Sequence, residues 1–588
     1  MNERTQSGLE ILKVAVGIGI LADILLRATP WGLNVLLFNV AFAAGMLVLL
    51  RRRAPEQLTG QTIALFGGLI FFASMFAWRD SMELRLADSA AILAILSVLF
   101  VPKMNIAAKV AGVFHYGVAF LWSSLNSMFA PVVLLSSDID WKFIPREGWR
   151  KHAFSAFRGL GVVTPLLLIF GALFMAADAA FEGLVQRVFN FDPTTIFTHF
   201  LLFGLFAWLS AGYLRGVLIK TTIPIEAFVN MQTPVSVTPK DDKSPVDRVR
   251  AESGEYPVTL PNDRFVVDHL NISDPPNCGS EPEAEEPKPD EPKKWDWAKI
   301  NNSLIPSALR LGTVEVCIIL GLMNLLFLSF VIVQVPYLFG GMELVQNTPD
   351  FKLAEYARRG FGELVVVSAL VLPVLLAGHW LIRRDAPFAS KLFRVLAGIQ
   401  IVLLFVIMAS AVQRLVLLTG NLGYGLTTIR LYPMIFMIWL GVVFVWFGAT
   451  VLRGARQHFA WGALWSAFLI LGATHVLNPD AFIVRTNIAL MQQGREFDMN
   501  YNFRLSADAV PDALAALPQL SLDDQCSAKV NLHILYRQLG QTRDLRSLNV
   551  SRKIAWYELN QNDAIFHQVE GCQAWVQENL KLDDESSK

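Results

Sequence analysis

The strongest constraint on this chain is a succession of apolar runs, most of them close to 20 residues long and bounded by charged or turn-forming residues. A helix of about 20 apolar residues covers the hydrocarbon thickness of a bilayer, so each run is a candidate membrane span. The candidates are residues 11–27, 31–50, 62–78, 85–102, 156–177, 195–218, 311–335, 362–382, 392–413, 429–452 and 458–476. The stretch 104–134 is apolar enough to join them, but His115, Ser123, Ser124, Asn126, Ser127 and Pro131 interrupt it. It either spans or lies on the membrane. The expected fold is all-α: a polytopic helical membrane protein with about eleven spans, twelve if 104–134 crosses, and a small soluble helical C-terminal tail. Composition points the same way, because 54% of the 588 residues are hydrophobic, more than a soluble chain buries in its cores. Charged residues fall to 17% and gather between the runs.

The first ten residues are polar, and the run after them carries Lys13 and Asp23 and ends at Arg27 with no small-residue cleavage site, which reads as an uncleaved first span. Short cytoplasmic loops retain Lys and Arg. With the N-terminus inside and 104–134 not crossing, the cytoplasm receives Arg51, Arg52, Arg53, Lys103, Lys142, Arg146, Arg150, Lys151, Arg215, Lys220, Lys293, Lys294, Lys299, Arg383, Arg384, Lys391, Arg453 and Arg456. The C-terminus then lies outside. Counting 104–134 as a span would expose Arg383 and Arg384 and bring the C-terminus inside.

Four regions follow. Residues 1–218 form an N-terminal membrane region, 219–303 a loop, 304–477 a second membrane region and 478–588 the tail. The loop is rich in proline and acidic residues and is expected to be disordered and cytoplasmic. Trp295, Trp297 and Lys299 after it suit an interfacial anchor. Between the fifth and sixth spans, Phe181, Leu184, Val185, Val188 and Phe189 repeat at helical spacing, as in an amphipathic surface helix. Helical periods at 507–517, 524–539, 544–560 and 562–578 make the tail a small bundle. Cys526 and Cys572 in it either form a disulfide or remain buried thiols.

Motifs for chemistry are absent: there is no phosphate loop, zinc helix or nucleophile elbow, and the four cysteines lack metal spacing. No cofactor, metal or catalytic residue is expected. Zero net charge and the lack of a basic stripe set nucleic acid aside. Ionisable groups at membrane depth are more informative, because an unpaired charge there is costly. Asp23, Arg85 and Asp88 are the candidate intramembrane set: Arg85 and Asp88 share a helix face at i, i+3, and Asp23 falls near the same level. Other such groups, His379, Arg394 and His475 among them, sit near span ends, where snorkelling accounts for them.

Three polar segments stand out in the second half: Glu355-Tyr-Ala-Arg-Arg-Gly-Phe-Gly-Glu363, Tyr424-Gly-Leu-Thr-Thr-Ile-Arg-Leu-Tyr432 and Asn478-Pro-Asp-Ala-Phe-Ile-Val-Arg-Thr-Asn487. On this topology all meet the outer face, bringing Glu355, Arg358, Arg359, Glu363, Arg414, Arg430, Asp480 and Arg485 into one neighbourhood. Such a set is either a salt-bridge network that docks the tail or a ligand site.

These segments also resemble an uncharacterised bacterial family of multi-pass inner-membrane proteins known only as a domain of unknown function. The resemblance runs over about residues 311–505. It implies a bacterial inner membrane and carries over no activity, substrate or catalytic residue.

The expected function is non-enzymatic: an envelope binding, sensing or scaffold protein in contact with the bilayer, with the cytoplasmic loop or the outer tail open to a protein partner. A secondary transporter using intramembrane acids is the alternative, although no internal repeat or paired broken spans are visible. A membrane enzyme using Glu355 or Glu363 as a base is a third reading, without a nucleophile at suitable spacing.

Overall fold

The computed structural model describes residues 3–104, 106–141, 193–219, 312–339, 353–382, 387–416, 419, 425–495, 497–541 and 544–562. Among them there are helices and no strand. The membrane region comprises α1 (Glu3–Leu26), α2 (Leu33–Arg53), α3 (Gly60–Trp78), α4 (Met82–Phe100), α5 (Val113–Val133), α6 (Pro193–Leu218), α7 (Thr313–Phe339), α8 (Leu353–Leu381), α9 (Pro387–Val416), α10 (Thr428–Thr450) and α11 (Phe459–Leu477). The tail comprises α12 (Pro479–Gln492), α13 (Met499–Asn502), α14 (Val510–Ala516), α15 (Leu522–Gln541) and α16 (Val550–Gln561).

Among the described residues, ten helices are long and apolar enough to cross a membrane. All of the helices from α2 to α11 belong to this set. The chain is thus a polytopic all-α membrane protein. α1 is 24 residues long, carries Glu10, Lys13 and Asp23, and is not in this set. Its Ile11, Ala15, Ile18 and Ala22 recur at helical spacing and are fully buried, mainly against α6 and α2. The expected span 156–177, the amphipathic run 181–189 and the Pro-rich loop from 220 to 303 lie outside the described residues.

Two polar clusters mark the two ends of the bundle. At the N-terminal end Arg53 closes on Glu10 at 2.8 Å. There Asp138, whose side chain is fully buried, binds Arg4 at 2.7 Å and Arg215 at 2.5 Å. Contacts at both ends of α5 fall at this end. Just before it, the Lys109 N–H donates to Gln61 at the start of α3. Just after it, Asp138 meets the first turn of α1 and the last turn of α6. α5 is 21 residues, about 31 Å long, and packs against the C-terminal half of α6, where the Trp208 indole donates to the Met128 carbonyl at 2.8 Å. Its exposed Phe114, Leu121, Leu125, Met128 and Val132 form one apolar stripe, while Ala119, Ser123 and Ala130 are buried. By length and hydropathy α5 stands among the candidate spans.

The opposite end carries the α1–α2 and α3–α4 turns and the starts of α6 and α10, and the tail sits on it. α11 ends at Asn478, which takes the left-handed conformation (φ 53°) that asparagine tolerates, and Pro479 then opens α12. Met499, Phe503, Val510, Ala513, Leu517, Leu532 and Leu559 close a separate small core for the tail. Gly32 lets the tail approach the α1–α2 turn: a Cβ there would meet the Leu548 carbonyl oxygen at 2.4 Å, and the Leu33 N–H donates to that oxygen at 2.9 Å. The N-terminus and the tail therefore occupy opposite ends of the bundle.

Candidate functional site

The most concentrated buried chemistry lies where the tail meets these turns. The α3–α4 connection is only Arg79-Asp80-Ser81, too short to satisfy its own backbone, and the tail supplies the missing partners. Asp508, 5% exposed, accepts from the N–H groups of Asp80 at 2.6 Å and Ser81 at 2.9 Å through one oxygen. Its other oxygen takes Arg79 at 3.4 Å and faces the Ser551 hydroxyl. Arg79 also donates from Nε to the His475 carbonyl at 2.9 Å, tying the end of α11 to the same knot.

Arg552, 7% exposed, is the second hub. Its Nε donates to Asp80 at 2.6 Å, and its terminal nitrogens donate to the carbonyls of Trp31 at 2.8 Å and Pro30 at 3.2 Å. Asp80 accepts from Arg85 as well. The Asn549 side chain donates to the carbonyls of Phe76 at 2.9 Å and Arg79 at 2.8 Å, capping the open end of α3. One guanidinium, one carboxylate and one amide thus span two turns of the membrane region and hold the tail against both.

Asp480, on the first turn of α12, is 2% exposed and accepts from the Ser506 hydroxyl through Oδ2, while its Oδ1 is buried without a partner. Burial pushes its carboxyl up to about 6, opposed by the Ser506 hydrogen bond and reinforced by the negative charges of Asp508 and Glu83. Next to it, the Tyr432 hydroxyl lies 3.2 Å from Ser81 Oγ, which also donates to Glu83 at 3.0 Å. Deeper in the bundle, His475 Nε2 meets Asp88 at 2.9 Å, both side chains essentially inaccessible, and His475 Nδ1 has no partner.

The three residues expected as an intramembrane set do not pair with one another. Arg85 turns to Asp80, Asp88 binds His475, and Asp23 meets His199 at 2.7 Å. The expected outer network is described only in part. Arg485 is exposed and pairs with Asp512 at 2.8 Å, Arg430 donates to the Gly425 carbonyl, Glu363 is exposed and Arg414 is buried. The side chains of Glu355, Arg358 and Arg359 lie outside the described residues. Asp480 is the one member found in the seam. Arg79, Asp80, Ser506, Asp508, Asn549, Ser551 and Arg552 were not anticipated. The only local signal was a charged pair, Arg79-Asp80, in a connection too short to bury it alone.

Among the described residues no group of His, Cys, Asp or Glu has the geometry to hold a metal ion. A cavity of about 270 Å³ at the opposite end, between Gln57, Thr62, Val98, Pro102 and Ala108, is lined mainly by apolar and uncharged polar groups and assembles no acid–base pair.

The fold and the seam define a class: multi-pass α-helical membrane proteins with a helical tail fastened to one end of the bundle. Within that class, the chain belongs to the family described as a domain of unknown function, DUF4153, whose model matches residues 66–238 and 280–516. The match covers most of the chain, including much of the first half, and ends just past Asp508. No curated protein and no solved structure matches the chain.

Proposed function

We propose that this is a bacterial cytoplasmic-membrane protein with a cytoplasmic N-terminus and a periplasmic tail, and that the docked tail is a sensing and binding platform for the envelope. The observation that carries this reading is the seam itself. Asp508 and Arg552 commit buried charges of the tail to backbone and side chains of the α1–α2 and α3–α4 turns. Removing one partner of such a buried pair costs about 3–5 kcal/mol. A ligand that binds the tail differently in its docked and released forms therefore shifts the state of that end of the bundle. Periplasmic placement is supported by the Lys and Arg bias of the loops. It is also supported by Cys526, which is disulfide-bonded, as suits an oxidising compartment. Cys572, which the sequence left either as its partner or as a second buried thiol, lies outside the described residues.

Two measurements test the reading. Alkaline phosphatase fused after Lys588 is expected to be active and green fluorescent protein at the same place dark; the reverse would overturn the orientation. A strain lacking the protein, complemented with an Asp508→Asn variant that accumulates normally, should show the defect of the deletion. Full complementation would remove the docked tail from the function.

A second reading, a proton-coupled secondary transporter, is favoured by the buried Asp88–His475 pair, since an acid and an imidazole in contact away from water can carry a proton. Reconstituted vesicles would then pass protons, and Asp88→Asn should abolish the flux. Equal flux in both would discard the reading.

A further inference from the structure

The seam contains one hydroxyl that cannot satisfy all its neighbours. Ser506 has a single hydroxyl proton, yet its Oγ touches Asp480 Oδ2 and lies 3.2 Å from Asp508 Oδ2. The same Oγ accepts the Asp508 N–H at 3.3 Å, and its one proton leaves no second donor to offer. Two carboxylates compete for one proton. Asp508 is otherwise complete, with two backbone N–H groups, Arg79 and Ser551 around it. Asp480 has only Ser506, and its Oδ1 is buried with nothing to accept from.

The other elements packed around Asp480 offer no compensation. α4 presents Glu83, α10 presents the neutral Tyr432 hydroxyl, and the tail presents Asp508. The nearby cations are committed elsewhere: Arg79 to Asp508 and the His475 carbonyl, Arg85 and Arg552 to Asp80. A proton on Asp480 resolves the conflict. It neutralises the less supported carboxyl and turns an acceptor into a donor beside Ser506.

We propose that Asp480 is a proton-binding site of the seam, and that its occupancy tightens the hold of the tail on the bundle. This rests on the reading of the docked tail as the sensing element, and it names the ligand as the proton. In the docked state the carboxyl titrates at about 6, against its ordinary 3.8. A group held above its unperturbed value binds protons more tightly when docked, so docking strengthens on acidification. The gain is complete below about pH 4 and is lost as pH rises through about 6. Between those limits the docking constant changes on the order of 100-fold.

Hydrogen–deuterium exchange of the full-length protein in detergent, followed over residues 499–521 and corrected for intrinsic rates, reads docking directly. Protection in the wild type is expected to fall on the order of 10-fold from pH 5 to pH 8, with a midpoint between about 5 and 6. Asp480→Asn should stay protected across the range. Should that variant not fold, two others decide: Glu83→Gln removes a like charge and should lower the midpoint, and Ser506→Ala removes the hydroxyl donor and should raise it. A flat wild-type profile, an unchanged profile in Asp480→Asn, or unmoved midpoints in the other two would overturn the proposal. Its failure is separable from that of the sensing role. A normal pH profile together with full complementation by undocked variants would leave the proton site standing and remove the function. A flat profile with failed complementation would do the opposite.

Discussion

Asp508→Asn is the substitution that most directly measures what fastens the tail. The side chain keeps its size but loses its charge, and one of its oxygens becomes an NH₂ group. Four donors point at the carboxylate: the N–H groups of Asp80 and Ser81 at 2.6 and 2.9 Å, Arg79 at 3.4 Å and the Ser551 hydroxyl. In either amide orientation at least one of these faces another donor. With the NH₂ toward the backbone, both N–H groups of the short connection are orphaned. With it toward Arg79, the buried ion pair is broken. Removing one charge of a buried pair costs about 3–5 kcal/mol, and the retained amide oxygen places this case at the lower end, about 3 kcal/mol. That is a factor on the order of 100 in the docking constant. Hydrogen–deuterium exchange over residues 499–521 at pH 5, where docking is firmer than at neutral pH, should show a loss of that size. Wild-type protection in a folded Asp508→Asn protein would refute the argument that the seam holds the tail.

Arg485→Ala breaks the ion pair with Asp512, but the arginine is 64% exposed, so thermal stability should change by only about 0.2–1 kcal/mol. A larger loss would mean that surface pairs contribute to docking as much as buried ones. Arg552→Lys keeps the charge but cannot reach Asp80, Trp31 and Pro30 at once, and is expected to cost about 2 kcal/mol in thermal stability measured in detergent. An unchanged melting temperature would show that charge alone, without the planar fork, suffices.

Helices and membrane character were legible because a long apolar run has few alternatives: its backbone must be satisfied internally and its side chains must leave water. The helix Pro479–Gln492 was not expected, since the tail's helical periods were read only from 507 on, although a residue tolerant of positive φ followed by proline can end one helix and begin another. The 104–134 stretch was not legible, because an interfacial helix and a span can share length and hydropathy. The pairing rule i, i+3 placed Arg85 beside Asp88, but each found a better-placed partner off its own helix. Asp80 stands in the turn before α4, and His475 comes from the end of α11, 387 residues along the chain. The seam was invisible for the same reason. Asp508 and its partners on the α3–α4 turn are more than 420 residues apart in sequence. Neither side carries a local pattern that names the other.

The choice of charged residues for this seam bears on what it is for. Replacing a buried ion network by apolar residues of similar volume often leaves stability unchanged or raises it, so an interface selected only to hold the tail had a simpler solution available. An apolar seam would, however, be indifferent to protons and tolerant of small slips in register. The observed seam is neither. Arg552 reaches two carbonyls and a carboxylate at once, and Asp508 reads two consecutive N–H groups, so only one placement of the tail satisfies both. Within that single placement, Asp480 is left one proton short beside Ser506. The strongly satisfied hubs set where the tail sits, and the poorly supported acid makes how firmly it sits depend on the medium. That division between fixed geometry and adjustable strength is what a tail serving as a sensor requires, and a purely structural clamp has no use for the second part.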